Sequence, residues 1–317
     1  MTTFLRVLQE AGQHGAEAVE QGTEVVQQGV EHAAEGGMPD IGGMLMHHLA
    51  DGPEIALPWG VWHLPQFGDI GHFLGFPVNL SPTKHVVFMA LAGLIVCVLF
   101  LTMARAVRGK YAGRAPGGMA NALEAMIIYF RDEIVRRNIG HGADGYTPFI
   151  LTLFFFILTM NLLGLVPWGS SPTGNIMVTG ALAVVSLVAI EISGFVTLGP
   201  AGYAKTIFYA PKGMGPVGTA IMLVIMTPVE LVGKLAKPFA LMVRLFANIT
   251  AGHTVILSLI GLIFVFGNLT IGRWGIAVGS VGMSSAMLML EIFVAFLQAY
   301  IFAMLTSVFI GLIRHAH

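Results

Sequence analysis

Five long hydrophobic stretches run through the C-terminal part of the chain. They cover residues 86–103, 148–166, 176–198, 217–266 and 276–313. A helix that crosses a membrane needs about 20 mostly apolar residues, and each stretch comes close to that length or exceeds it. The pattern predicts an all-α polytopic membrane protein with five membrane-crossing helices.

The last two stretches are longer than one perpendicular crossing requires. At ~1.5 Å per residue the fifth is roughly 57 Å long, whereas the hydrocarbon layer is ~30 Å thick. A single crossing then needs a tilt of roughly 60°, far above the usual ~20°. The alternative is two crossings in the fourth stretch, with Lys234, Lys237 and Pro238 at a turn. We expect one oblique crossing per stretch, with Pro238 as a kink, so that the two form a long, strongly tilted antiparallel hairpin.

A shorter amphipathic segment lies between the first two stretches. Its apolar residues recur at helical spacing and share one face: Met119, Leu123, Met126, Ile127, Phe130 and Ile134. Charged residues occupy the rest of the segment, so it is too polar to span the bilayer. We expect an amphipathic helix that lies on the cytoplasmic surface of the membrane.

The composition agrees with a membrane protein and narrows its chemistry. Lys, Arg, Asp and Glu make up 10% of the chain, where soluble proteins carry about 25%, and the mean hydropathy is +0.80. A net charge of −1 excludes a broadly basic nucleic-acid binder. The lone Cys97 excludes a disulfide framework and a cysteine-based metal site. No Walker-type glycine-rich loop is present, so we expect neither nucleotide chemistry nor a cofactor.

Charge is distributed unevenly along the chain. Residues 1–84 hold ten acids and two bases, a formal charge of −8, and the remainder carries +7. We therefore expect an acidic, mostly polar N-terminal extension over residues 1–80 and a membrane domain over residues 81–317. Within the extension, residues 52–80 are rich in Pro, Gly and aromatics and predict a loop near the membrane interface. The seven histidines up to His85 fit a solvated acidic segment, with metal binding as the alternative.

Basic residues set the expected orientation. Seven of them separate the first two stretches: Arg105, Arg108, Lys110, Arg114, Arg131, Arg136 and Arg137. The positive-inside rule makes that segment cytoplasmic, which places the N-terminus outside and the C-terminus with Arg314 in the cytoplasm. Of the loops, only the one that holds Arg273 departs from the rule.

The two long stretches also contain charges that a membrane disfavours. Arg244 stands in Leu-Met-Val-Arg-Leu-Phe with no acid within a turn, and a charge at the bilayer centre costs at least ~2.5–3.5 kcal/mol. Helical spacing places five residues within about 60° of arc, which predicts a contact face for another helix: Glu230, Lys237, Arg244, Asn248 and Ala251. Across the expected hairpin, Arg244 falls opposite Gln298 and His253 opposite Glu291. Because Arg244 and His253 point in opposite directions, one straight interface holds only one of these pairs.

These residues carry a resemblance to a known family. The run Lys237-Pro-Phe-Ala-Leu-Met-Val-Arg244-Leu-Phe-Ala-Asn248-Ile-Thr-Ala-Gly-His253 resembles the signature of the a subunit of rotary F-type ATP synthases. Leu297-Gln298-Ala-Tyr-Ile-Phe, Met160-Asn161-Leu-Leu-Gly-Leu-Val-Pro167 and Pro172-Thr-Gly-Asn-Ile fit the same family. The resemblance covers about residues 80–317.

The resemblance implies a proton-translocating, non-catalytic subunit of a bacterial inner-membrane ATP synthase. It would provide two half-channels beside a c-subunit ring, and its other partners would be b-type peripheral stalk subunits and the lipid bilayer. Arg244 corresponds to the arginine that faces the ring, and Glu230 to the inner half-channel carboxylate. His253 and Glu291 correspond to the outer half-channel relay. The polar lining would come from three amides: Asn248, Gln298 and Asn161.

The sequence departs from the family at several positions. Gly164 stands where some relatives carry an acid, and Gly233 and Ala236 replace hydroxyl residues. Glu191 has no counterpart that we can assign, and it is either a partner of another site residue or a proton outlet group. A secondary transporter would favour an inverted repeat with paired broken helices, and a passive channel would favour pore-lining symmetry. The sequence shows neither pattern.

Overall fold

A computed structural model describes residues 51–57, 60–67, 69–73, 76–79, 81–109, 117–166, 169–208, 216–265 and 272–315. The chain divides into two compact units. The larger unit comprises residues 51–251 and 289–317, and the described part of the smaller unit comprises residues 252–265 and 272–288. Residues 1–50 of the predicted N-terminal extension lie outside the described residues.

The segment before the first hydrophobic stretch forms two short β-hairpins, where the composition predicts a loop. Strands β1 (Glu54–Leu57) and β2 (Gly60–His63) pair antiparallel, as do β3 (Asp69–Phe73) and β4 (Phe76–Asn79). Glu54 lies opposite His63, and the Glu54 carboxylate is 3.2 Å from His63 Nδ1. A cross-strand pair of this kind stabilises a hairpin, and single-residue composition does not reveal it.

Seven α-helices follow in the described chain. Their bounds are α1 Lys84–Arg108, α2 Met119–Tyr129, α3 Arg137–Ile139, α4 Thr147–Leu165, α5 Ile176–Ile207, α6 Pro216–Val265 and α7 Gly272–Arg314. Five of them are long and apolar enough to cross a membrane, and they coincide with the five predicted stretches: α1, α4, α5, α6 and α7. The predicted class, an all-α polytopic membrane protein, is confirmed.

Helix α4 lies at the centre of the core. Phe154 on α4 is fully buried, and its ring centroid is 4.4 Å from that of Phe130 and 5.6 Å from that of Phe296. Phe155 meets Phe100 of α1 edge to face at 5.1 Å. These contacts hold α1, α4 and α7 together around one aromatic cluster.

The predicted amphipathic segment is helical and packs through its apolar stripe. Helix α2 continues into a π-helical turn at Phe130–Arg136 and then into α3. Leu123, Phe130 and Ile134 are buried, whereas Met119 at the start of the stripe is 74% exposed. Ser307 of α7 donates a hydrogen bond to the Ile134 carbonyl. The stripe therefore faces the protein core, and the location of this helix on the membrane surface stays a prediction.

Helix α6 is continuous through Lys234 and Pro238, so the alternative with a turn at these residues is wrong. Two contacts give its direction relative to α7 in the larger unit. The Lys237 ammonium lies 5.3 Å from the centre of the Phe309 ring, and Asn248 is hydrogen-bonded to Gln298. Between the first contact and the second, the residue number increases by eleven on α6 and decreases by eleven on α7. The two helices are therefore antiparallel there, and their tilt stays a prediction.

One carboxylate joins the starts of α1 and α5. Asp51 Oδ1 lies 2.8 Å from Nδ1 of the buried His85, and Asp51 Oδ2 accepts a hydrogen bond from the side-chain amide of Asn175. The Asn175 side chain in turn accepts a hydrogen bond from the Met177 amide and caps α5. The first described residue thus fixes the relative position of two long helices.

Candidate functional site

Arg244 lies on the exposed side of α6. Leu241, Leu245 and Ile249 recur at four-residue spacing and are at most 1% exposed, so they mark the packed face of the helix. Arg244 itself is exposed. No carboxylate among the described residues forms an ion pair with it. The guanidinium is therefore presented at the surface of the larger unit.

The predicted contact face is exposed over its whole length. Glu230, Lys237, Asn248 and Ala251 are exposed together with Arg244. The small residues that flank this face are exposed as well: Ala240 and Ala247. Small side chains beside an arginine allow a neighbouring backbone to approach closely. Contact of this face with a helix of another chain stays a prediction.

Gln298 packs behind this face, but one turn away from its predicted position. Its Oε1 accepts a hydrogen bond from the Asn248 side-chain amide at 3.0 Å, and Gln298 is 2% exposed. The sequence register instead set Gln298 opposite Arg244, four residues earlier on α6. The observed partner of Gln298 is therefore Asn248 and not Arg244.

Asn161 is fully buried and connects three elements. Its side-chain amide donates to the carbonyl oxygen of Ala295 on α7 at 3.2 Å. Its Oδ1 accepts a hydrogen bond from Thr173 Oγ1 at 2.7 Å, and Thr173 is also hydrogen-bonded to Ser171. The sequence singled out Asn161 but missed both hydroxyl residues. Their position in a run of Ser, Pro and Thr before α5 was the available signal.

Gly164 is one turn of α4 away from Asn161 and lies against Ser171. A Cβ added at Gly164 would overlap the Ser171 side chain. An acid at this position would therefore displace the turn at residues 172–174. Ser171 and Thr173 supply polar groups here instead.

Glu291 lies on the buried stripe of α7. It is 2% exposed and precedes Gln298 by two helical turns, so the two side chains share one face. His253 belongs to the smaller unit, where it is half-buried. The pairing of His253 with Glu291 stays a prediction.

Glu191 forms a compact cluster with two other polar residues. Its Oε2 lies 3.1 Å from the Lys234 ammonium and accepts a hydrogen bond from the Tyr203 hydroxyl. The Lys234 ammonium also lies 4.5 Å from the centre of the Tyr203 ring. The Lys234 and Glu191 side chains are only 10% and 24% exposed. Glu191 therefore has a defined partner on α6.

A break in α5 makes this cluster possible. Twelve residues of straight helix span about 18 Å, too far for a hydrogen bond between Glu191 and Tyr203. Gly199 has a φ of +68°, a conformation that favours glycine, and Pro200 follows it. The chain turns at these two residues and brings Tyr203 back to Glu191. Gly199-Pro200 was the only sequence signal for this contact.

The same cluster borders a cavity of about 100 Å³ between α5, α6 and α7. Its polar and charged lining comes from α5 and α6: Glu191, Thr206, Glu230, Lys234 and Lys237. Helix α7 contributes only apolar side chains: Phe309, Leu312 and Ile313. The structure thus brings Glu230, predicted as the inner half-channel carboxylate, into one cavity with Glu191.

Comparison with known proteins agrees with the resemblance. Residues 86–311 match the family model described as ATP synthase A chain. ATP synthase subunit a 2 of Prosthecochloris aestuarii is 43% identical over 281 residues, which cover 88% of this chain and 81% of the relative. ATP synthase subunit a of Chlorobium phaeobacteroides is 42% identical over 305 residues, covering 96% and 85%.

A third relative extends the match beyond these two genera. ATP synthase subunit a of Anaeromyxobacter dehalogenans strain 2CP-1 is 43% identical over 319 residues, which cover 96% of this chain and 79% of the relative. The family match covers most of the chain and includes every candidate site residue. This chain is a bacterial membrane protein that belongs to the ATP synthase A chain family.

Proposed function

We propose that this chain is the proton-conducting stator subunit of a rotary ATP synthase, with Arg244 facing the ring of c subunits. The supporting observation is that Arg244 is exposed between the small residues Ala240 and Ala247 and has no carboxylate partner among the described residues. A bare charge in the membrane is costly, so this cation needs a partner from another chain. A carboxylate on each c subunit meets that need.

Arginine suits this position because it separates the two half-channels. Its guanidinium stays protonated at every physiological pH, so it attracts an ionised carboxylate but cannot relay a proton. A proton on the outer side therefore cannot pass directly to the inner side through Arg244. It has to travel on the ring.

The proposed cycle follows from the cost of charge in lipid. A proton from the outer half-channel binds the ring carboxylate opposite Arg244, and the neutral acid can then rotate into the lipid. After nearly a full turn the acid reaches the inner half-channel and releases its proton. The carboxylate, charged again, is drawn to Arg244. Proton flow is thereby coupled to rotation and to ATP synthesis.

Two groups of residues would form the half-channels. His253 and Glu291 would relay protons on the outer side, since an imidazole can both accept and donate a proton. Asn248, Gln298 and Asn161 would provide the polar lining beside Arg244. On the inner side, Glu230 would release protons through the cavity that it shares with Glu191.

The same proposal covers the partners and the orientation. The chain would perform no catalytic chemistry of its own and would work with the c ring and b-type peripheral stalk subunits. It would lie in the bacterial inner membrane, with the N-terminus outside and the C-terminus in the cytoplasm.

Disulfide cross-linking tests whether the Arg244 face meets the ring. In a Cys97→Ser background, we would place a cysteine at Ala251 and another in the c subunit, next to its carboxylate. The matched control is Phe239→Cys, because Phe239 is 62% exposed but lies about 140° around the helix from Arg244. We expect an a–c cross-link with Ala251→Cys and none with Phe239→Cys. The reverse pattern would contradict the proposal.

A further inference from the structure

The cavity between α5, α6 and α7 is lined by two carboxylates and two ammonium groups. The ion pair that forms there does not join the residues that are neighbours in the sequence. Glu230 and Lys234 are four residues apart on α6, with the acid first, which is the favourable arrangement for an ion pair within a helix. Lys234 instead pairs with Glu191 of α5 at 3.1 Å and lies over the Tyr203 ring. No ion pair in the described part of the chain involves Glu230.

We infer that Glu191 is a positioning residue that holds Lys234 away from Glu230, so that Glu230 stays free to bind and release protons. This inference rests on the proposed function of Glu230 as the inner half-channel carboxylate. The Glu191 carboxylate and the Tyr203 hydroxyl together form a fixed acceptor site for the Lys234 ammonium. The break at Gly199-Pro200 places that site within reach of α6.

The charges around Glu230 determine how tightly it holds a proton. Helix α5 contributes Glu191 and Tyr203, helix α6 contributes Lys234 and Lys237, and the lining from α7 is apolar. Lys237 is turned to the Phe309 ring of α7. Lys234 is therefore the cation whose position Glu191 controls.

Removing the Glu191 charge should weaken proton binding at Glu230. In Glu191→Gln the Lys234 ammonium loses its carboxylate and turns to Glu230, one helical turn away. A cation at contact distance favours the ionised carboxylate and weakens proton binding by about one pH unit. During ATP-driven pumping, protons reach the ring through Glu230. The pH at which pumping falls to half on the alkaline side should therefore decrease.

The test measures ATP-driven proton pumping against pH in inverted membrane vesicles that contain the whole ATP synthase. Pumping is normalised to ATP hydrolysis and to the amount of assembled complex. We expect Glu191→Gln to move the alkaline midpoint down by about one pH unit. The double variant Glu191→Gln/Lys234→Met should return the midpoint to the wild-type value. A wild-type profile for Glu191→Gln, or no recovery in the double variant, would overturn the inference.

Lys234→Met keeps the inference testable if Glu191→Gln does not assemble. This variant leaves the Glu191 carboxylate without its cation, and the negative charge near Glu230 strengthens proton binding there. The midpoint should then shift upward, opposite to Glu191→Gln. An unchanged or lowered midpoint would overturn the inference.

Glu230→Gln separates this inference from the proposed function. If Glu230→Gln pumps with the wild-type rate and profile, both the inner half-channel role of Glu230 and this inference fail. If Glu230→Gln abolishes pumping while Glu191→Gln has the wild-type profile, only this inference fails.

Discussion

The side-chain amide of Asn248 donates a hydrogen bond to Oε1 of Gln298 at 3.0 Å. Asn248 lies one helical turn beyond Arg244 on α6, and Gln298 is buried on α7. The bond therefore connects the turn that presents Arg244 to the helix that supports it. We therefore expect the hydrogen bond between the Asn248 and Gln298 side chains to help hold Arg244 in position.

Breaking this pair should lower the stability of the complex. In Asn248→Ala the buried Gln298 Oε1 loses its donor, and an unsatisfied buried acceptor costs about 1–3 kcal/mol. Thermal denaturation of the purified complex would measure the loss. Gln298→Met removes the acceptor as well, so the double variant should lose less than the sum of the two single losses. If the loss in the double variant equals the sum of the two single losses, the hydrogen bond does not contribute to stability.

Gly311→Ala should destabilise the contact between α7 and the segment before α4. A Cβ at Gly311 would overlap the carbonyl oxygen of Asn138, and overpacking of this kind costs about 1–3 kcal/mol. Gly282→Ala on the same helix is the matched control, because a Cβ there meets nothing within 4 Å. Thermal denaturation should show a loss for Gly311→Ala only. Equal effects at both positions would contradict the packing.

Thr173→Val should slow proton translocation, because Thr173 orients the proposed lining residue Asn161. The change keeps the shape of the side chain but removes the donor to Asn161 Oδ1, which bonds at 2.7 Å. A net hydrogen bond is worth about 1 kcal/mol, so we expect a loss of about fivefold in proton-driven ATP synthesis. Thr173→Ser retains the hydroxyl and should retain most of the rate. If Thr173→Val and Thr173→Ser behave alike, the hydroxyl does not support Asn161 in its proposed role.

The contribution of the Asp132 carboxylate to the stability of the fold should be the same at pH 8 and at pH 5.5. Hydrogen bonds from Arg131, with the nearby charges of Arg131 and Arg136, hold the pKa of Asp132 below its usual range. A carboxyl with a lowered pKa contributes above its unfolded pKa of about 3.9 and loses the contribution as the pH falls through the folded value. The small decrease in melting temperature of Asp132→Asn should therefore be the same at both pH values. A decrease that vanishes by pH 5.5 would contradict this assignment.

The helices were predictable because each depends on local sequence. The stretch at 148–166 became α4 at Thr147–Leu165, and the stretch at 217–266 became α6 at Pro216–Val265. Arg244 was identifiable for a related reason. A charge inside an apolar run is conspicuous, and its helical phase predicts the face that it shares.

Contacts between distant residues were not predictable in the same way. The cluster of Glu191, Tyr203 and Lys234 depends on the left-handed backbone at Gly199, which brings together groups that no helical period relates. Gln298 is hydrogen-bonded to Asn248, one turn beyond the Arg244 that the sequence register placed opposite it. The hydroxyl partner of Asn161 comes from a turn that follows α4.

Proton-driven ATP synthesis in membranes that carry Arg244→Ala tests the central claim most directly. The chain offers a matched control in Phe239→Ala, which changes an exposed side chain of the same helix away from the Arg244 face. With equal amounts of assembled complex, we predict that Arg244→Ala reduces synthesis to background while Phe239→Ala retains the wild-type rate. Retained synthesis in Arg244→Ala would contradict the account.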